Sequence, residues 1–137
     1  MRDIKFRGLS KVTGKLVYGN LIQTSKYKDG HIHCWIQEKS LLGLGVLSTP
    51  TTRFVDVHSE SVGQFTGLQD RNGVDIYEGD IVQFFDKDPF YPDKPEAKGD
   101  KAIVTFRNGK FENAWYFYGL EVIDNITDNA ELLNKVK

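Results

Sequence analysis

Two Asn-Gly pairs, Asn72-Gly73 and Asn108-Gly109, stand between apolar flanks, and they constrain the fold more than any other feature of the chain. A two-residue type I′ turn needs positive φ at both central residues, a conformation that Asn and Gly adopt at least cost, and its twist matches that of paired antiparallel strands. Each pair therefore predicts a tight hairpin, and two such signals in one short chain call for antiparallel sheets.

The apolar pattern between the turns agrees. Ile4, Phe6 and Leu9 alternate with Asp3, Lys5 and Arg7, the period of a half-buried strand. Ser10 to Lys15 reads as a turn, and Leu16 to Ile22 as the returning strand with a bulge at Gly19-Asn20. After a polar loop from Ser25 to Gly30, a strand from His31 to Gln37 puts His31, His33 and Trp35 on one face and Ile32, Cys34 and Ile36 on the other. Residues 38–52 show no period, and Arg53 to His58 alternates without an obvious buried face. Gly79-Asp80 reads as a tight turn launching a strand from Ile81 to Phe85. Asp86 to Asp100 holds Pro89, Pro92 and Pro95 and reads as a long loop. A hairpin follows, Ala102 to Phe106 and Phe111 to Tyr118 around Asn108-Gly109, then a short strand at Glu121 to Ile123. Asp128 or Asn129 caps a helix over 130–136 with Leu132, Leu133 and Val136 as its stripe. The expected fold is mostly β, built of small antiparallel, strongly curved sheets or barrels, SH3-like in the C-terminal half, with a short C-terminal helix. The expected division is an N-terminal β lobe over 1–60 and a barrel-like lobe over 61–137, or a single domain sharing one core.

The 137 residues suffice for a core without disulfides or metal. Cys34 is the one cysteine, so no internal disulfide forms, as in a reducing compartment. No apolar run approaches the ~18 residues of a membrane span, and the expected location is cytoplasmic. The net charge of −1 does not suit a protein that coats nucleic acid. Residues 1–30 nevertheless hold seven Lys and Arg against Asp3 and Asp29, a net of +5, which leaves −6 for the rest.

Three blocks carry a family resemblance. Arg2-Asp3-Ile4-Lys5-Phe6-Arg7 resembles the opening of YopX-family proteins. Ser61-Val62-Gly63-Gln64-Phe65-Thr66-Gly67-Leu68, with Asp70, Asn72-Gly73 and Ile76-Tyr77-Glu78-Gly79-Asp80-Ile81-Val82, resembles the family's central signature. Glu121-Val122-Ile123, Asn125-Ile126 and Asn129-Ala130-Glu131-Leu132-Leu133 resemble its closing block. Asp124 stands where the family pattern has glycine, and Ala130 where it has proline. The resemblance implies an origin in phages and prophages of Gram-positive bacteria. It implies no activity, and no catalytic or binding residue carries over from it.

Each chemical motif has a plainer reading beside it. Asp70, Asn72, Asp75, Glu78 and Asp80 are hard oxygen ligands, but Gly73 falls at position 4 and no Glu at 12, so the spacing fails for a calcium loop; two turns bonded by their own side chains account for it. His31 and His33, with His58 on a neighbouring strand, could begin a zinc site, while two exposed histidines beside Trp35 are the simpler outcome. Cys34 lies between isoleucines, as a buried inert thiol does. Gly43-Leu44-Gly45 lacks the Gly-Lys-Ser/Thr of a phosphate loop. The sequence thus predicts no catalytic residue, no cofactor and no metal. The candidate contact surface comprises Phe90, Tyr91, Tyr116, Tyr118, Arg2, Lys5 and Arg7, and Asn72, Gly73, Gly79, Asp80, Asn108 and Gly109 are structural turns. The expected role is that of a non-enzymatic phage accessory protein acting through protein contacts, as a homo-oligomer. The alternative is a barrel that binds single-stranded nucleic acid, with Trp115 to Tyr118 as its stacking platform. Neither reading involves a membrane.

Overall fold

A computed structural model describes residues 4–24, 32–40 and 51–126, with the side chains of 39, 40, 51 and 52 excepted. Arg2, His31, Gly43-Leu44-Gly45 and the expected helix over 130–136 lie outside the described residues. The chain divides into two units, Met1–Gln64 and Phe65–Lys137.

In the first unit the alternating segments become β1 (Phe6–Leu9), β2 (Leu16–Gln23), β3 (Cys34–Ser40) and β4 (Thr51–Val57), antiparallel neighbours in the order β4-β3-β2-β1. After a 3₁₀ turn at Ser59–Ser61, Gly63 and Gln64 begin β5 (Gly63–Gln69) and pair with Arg7 and Phe6. β1 is therefore an interior strand. β2 changes partner along its length, Leu16 to Gly19 facing β1 and Asn20 to Gln23 facing β3. Gly19 sits at the changeover, where a Cβ would lie 2.1 Å from the Gln37 carbonyl oxygen. The expected bulge at Gly19-Asn20 is thus a change of pairing partner at a backbone approach too close for a side chain.

The sheet curls until the ends of β1 and β4 meet. Lys11 N donates to Asp56 O and His58 N to Leu9 O, each at 3.0 Å, around a Ser10–Val57 bridge. Cys34, Ile36 and Val57 are buried inside the curl, with Phe6, Val17, Leu21, Val55 and Val62 packed around them. Two expectations for the N-terminal segment are reversed. Ile4 is exposed, and Arg7, expected on a contact surface, is buried at 6% exposure. Ladders run on both sides of Arg7, opposite Tyr18 and Gly63, and an interior strand gives a long aliphatic stem neighbours to lie against.

In the second unit the rest of β5 pairs with β6 (Asp75–Tyr77). β7 (Asp80–Asp86) runs between β8 (Ala97–Ile103) and β11 (Leu120–Asn125), and β9 (Thr105–Arg107) and β10 (Lys110–Glu112) form a separate hairpin. Ile76, Val82, Val104, Ala114 and Leu120 are the buried core, bordered by Phe84, Ala102, Phe111, Tyr116 and Val122. A register shift separates Gln83 from Phe85 on β7, and buried Gln83 donates its amide to the carbonyls of Gly99 and Phe84 at 2.8 and 2.9 Å. The protein is mostly β and its sheets are small and antiparallel; among the described residues none is a closed barrel, the meeting of β1 and β4 being an isolated bridge.

The two Asn-Gly pairs part company. Asn108 and Gly109 have φ of 53° and 79° between the paired Arg107 and Lys110, a type I′ turn. At the other, Gly73 has φ of 81° but Asn72 is not left-handed. Gly73 N instead donates to Asp70 O at 3.0 Å, and Asp70 N to Val74 O at 2.8 Å. This is a turn centred on Arg71-Asn72 followed by a glycine bulge. The Asp70 carboxylate decides it, since Oδ1 accepts from Asn72 N and Val74 N at 2.8 and 2.9 Å. The turn expected at Gly79-Asp80 is Glu78-Gly79, with Gly79 at φ of 93° and Asp80 already in β7.

Candidate functional site: an aromatic loop end

β7 is antiparallel to both of its neighbours, with Asp86 opposite Ala97 and Phe84 opposite Leu120. The end of β7 and the starts of β8 and β11 therefore share one end of the sheet, and the connections 87–96 and 113–119 both leave from it. Pro89, Pro92 and Pro95 lie in the first connection; they remove the backbone donors a ladder would need, and β8 begins once they end. The second connection departs from expectation. Alternation predicts one strand from Phe111 to Tyr118, but β10 stops at Glu112. Asn113 turns left-handed at φ of 67° and donates its amide to Ile103 O at 2.9 Å.

Side-chain ties fasten both connections to the sheet. Tyr116 stacks on Phe84 with ring centroids 4.5 Å apart and donates its hydroxyl to Asp86 Oδ1 at 2.6 Å. That hydrogen bond, aided by burial, raises the Tyr116 pKa above its ordinary value. Arg71, on the Asp70–Val74 turn, forms a two-pronged pair with Glu96 at 2.7 and 3.0 Å. Its guanidinium lies 4.2 Å over the Phe85 ring, and its backbone N donates to Leu120 O at 3.1 Å. The same hydrogen bonds hold the Glu96 carboxyl below, and the Arg71 guanidinium above, their usual pKa values.

What these ties leave outside is aromatic. Phe90 (86% exposed) and Tyr91 (66%) stand on the first connection, Trp115 (68%) and Phe117 (74%) on the second. Trp115 and Phe117 meet edge-on at 6.4 Å, and Phe117 and Tyr118 at 4.8 Å. A hollow of ≈ 570 Å³ is lined, among the described residues, by Phe90, Tyr91, Pro92, Asp93 and Lys94. Four large aromatics in water on anchored loops present stacking faces and apolar area, the materials of a contact surface.

The structure sorts the expected contact residues. Phe90 and Tyr91 are exposed, as a contact surface needs. Tyr116 is engaged with Phe84 and Asp86, and Tyr118 supports Phe117. Lys5 and Arg7 stand on the first unit, the latter buried. Period-2 reasoning puts Trp115 and Phe117 on one face and Tyr116 and Tyr118 on the other without saying which pair is core, because it carries the strand past Asn113; the tolerance of Asn for left-handed backbone is the available signal.

In the first unit the Cys34–Val57 register brings His33 and His58 side by side, and both line a hollow with Lys11 and Glu60. His58 Nδ1 lies 3.7 Å from Glu60 Oε1. Among the described residues no group of three His, Cys, Asp or Glu side chains is arranged to hold a metal ion. Cys34 is buried, and desolvation pushes its thiol pKa up.

Fold and surface define a class: an antiparallel β protein of two units, one of which carries an aromatic loop end. The YopX protein family model matches residues 5–134, and the chain belongs to that family. It is also similar to protein EF1440 from Enterococcus faecalis, a crystal structure with 22% sequence identity and a TM-score of 0.54 over 97% of this chain and 99% of that one; at this identity the likeness speaks for the fold. No curated protein matches significantly. Among the described residues no helix is long and apolar enough to cross a membrane.

Proposed function

We propose that this chain is a non-enzymatic accessory protein of phage or prophage origin that works in the cytoplasm through protein contacts made at its aromatic loop end. The observation that carries the reading is the exposure of Phe90, Tyr91, Trp115 and Phe117 on two connections that Tyr116–Asp86 and Arg71–Glu96 tie to one end of a sheet. The phage origin rests on family membership. We also read the second unit as SH3-like, because a three-stranded sheet and a separate hairpin share one core.

The same rings could stack on single-stranded nucleic acid. The charge beside them favours protein. Residues 86–96 hold Asp86, Asp88, Asp93 and Glu96 against Lys87 and Lys94, an acid surplus that repels phosphate. The test is affinity capture from induced cells after nuclease treatment, using wild type, a Trp115→Ala/Phe117→Ala variant and a Phe90→Ala/Tyr91→Ala variant. The expected result is a discrete protein partner retained by wild type and lost by the first variant at unchanged melting temperature. Capture that disappears with nuclease would move the assignment to nucleic acid.

A further inference from the structure

Resting on that reading, we propose that the loop end of one copy receives the β1–β2 hairpin tip of a second copy of this chain. The tip, Lys11-Val12-Thr13-Gly14-Lys15, carries an apolar side chain between two cations. Val12 is 88% exposed, yet its backbone is not slack. Ser10 Oγ accepts from the N–H groups of Val12 and Thr13, Thr13 Oγ1 accepts from Lys15 N, and Gly14 N donates to Ser10 O. A rigid apolar knob in water loses little conformational freedom on docking.

The two surfaces are complementary in kind. Val12 offers an aliphatic contact to the faces of Trp115 and Phe117, and ammonium groups beside aromatic rings and carboxylates are attracted to both. Lys11 lies 3.5 Å from Asp56 Oδ1 in its own chain, so Lys15 is the cation the contact draws on most. The charge of the whole chain follows the same division. Residues 1–64 carry nine Lys and Arg against five acids, a net of +4, and residues 65–137 carry nine against fourteen, a net of −5. Knob and receiving surface are different patches, so two copies either exchange knobs in a reciprocal dimer or pass them head to tail into rings or chains.

That geometry gives a distinctive test. Wild type, Trp115→Ala/Phe117→Ala and Val12→Asp/Lys15→Glu are compared by sedimentation velocity across concentration, at low and high salt. All four positions are exposed, and melting curves verify folding; Phe117→Ser and Lys15→Glu singly replace any pair that melts early. The expected results are wild-type association at low salt that is lost at high salt, each variant associating about tenfold or more weakly, and a mixture of the two variants that regains association as a dimer held by a single knob and goes no further. Wild type monomeric at every concentration, or association that survives both variants, overturns the proposal. Monomeric protein that still captures a different protein through Trp115 and Phe117 overturns this inference and leaves the protein-contact function standing. A labelled oligothymidylate bound by wild type and lost by Trp115→Ala/Phe117→Ala overturns both.

Discussion

One carboxylate holds a large share of the second unit's local order. Asp70 is buried, takes Asn72 N and Val74 N on Oδ1, and accepts Val122 N on Oδ2 at 3.0 Å. It thereby shapes a turn and attaches that turn to β11. Asp70→Ala strands three donors, and we expect a loss of ~3 kcal/mol in urea unfolding, with Asp70→Asn costing less because one acceptor oxygen remains. Gly73 has φ of 81°, and a Cβ added there would meet nothing within 4 Å, so Gly73→Ala meets backbone strain alone and should cost ~1 kcal/mol in the same assay. An unchanged urea midpoint would contradict either account. The sequence signal is the same at both Asn-Gly pairs. It predicts a turn at each, and it names the right turn type only at Asn108-Gly109, where the turn keeps its left-handed Asn. At Asn72-Gly73 a side chain two residues upstream offers the N–H groups a better acceptor, a choice that dipeptide reasoning does not see.

At the scale of elements, the connection 87–96 is a strap fastened near its far end by Arg71–Glu96, while Tyr116–Asp86 holds the neighbouring connection 113–119 against the end of β7. Limited proteolysis should cut first near Phe90 and Tyr91, and Arg71→Met should raise the cleavage rate severalfold. Acid should act on the same fastening. The folded state holds the Glu96 pKa down, so the contribution of the pair is present above the ordinary glutamate pKa of ~4.3 and is lost as pH falls through the lower folded value. Cleavage by an acid-tolerant protease should therefore be flat from neutral to about pH 5 and rise below about pH 4. A rate that rises equally in Arg71→Met would show that another group is responsible. The strap is legible in the sequence because proline chemistry is local. The connection 113–119 is not, because Ala114, Trp115, Tyr116, Phe117 and Tyr118 imitate a strand until Asn113 is seen to turn the chain out of the ladder.

For the whole molecule, the charge asymmetry can be read directly from the chain, but the residues that express it cannot. Arg7 belongs to the basic N-terminal segment by sequence and to the interior by structure, since β1 is flanked on both sides. The tip at Lys11 to Lys15 reads in sequence as a turn and nothing more, because a turn's exposure and stiffness depend on hydrogen bonds that its sequence only permits. The aromatics follow the same rule. Those near the loop end divide into core and surface only once β7 fixes which strand ends meet, an assignment that rests on register. The central claim, that the aromatic loop end is where this protein touches other proteins, is tested most directly by photo-crosslinking from within it. Benzoylphenylalanine is placed at position 117 and, as a control, at position 54, since Phe54 is also exposed, at 60%, but stands on β4 of the first unit. The account predicts discrete protein adducts from position 117 and a blank lane from position 54. Equal adducts from both positions, or adducts from position 117 to nucleic acid alone, would contradict it.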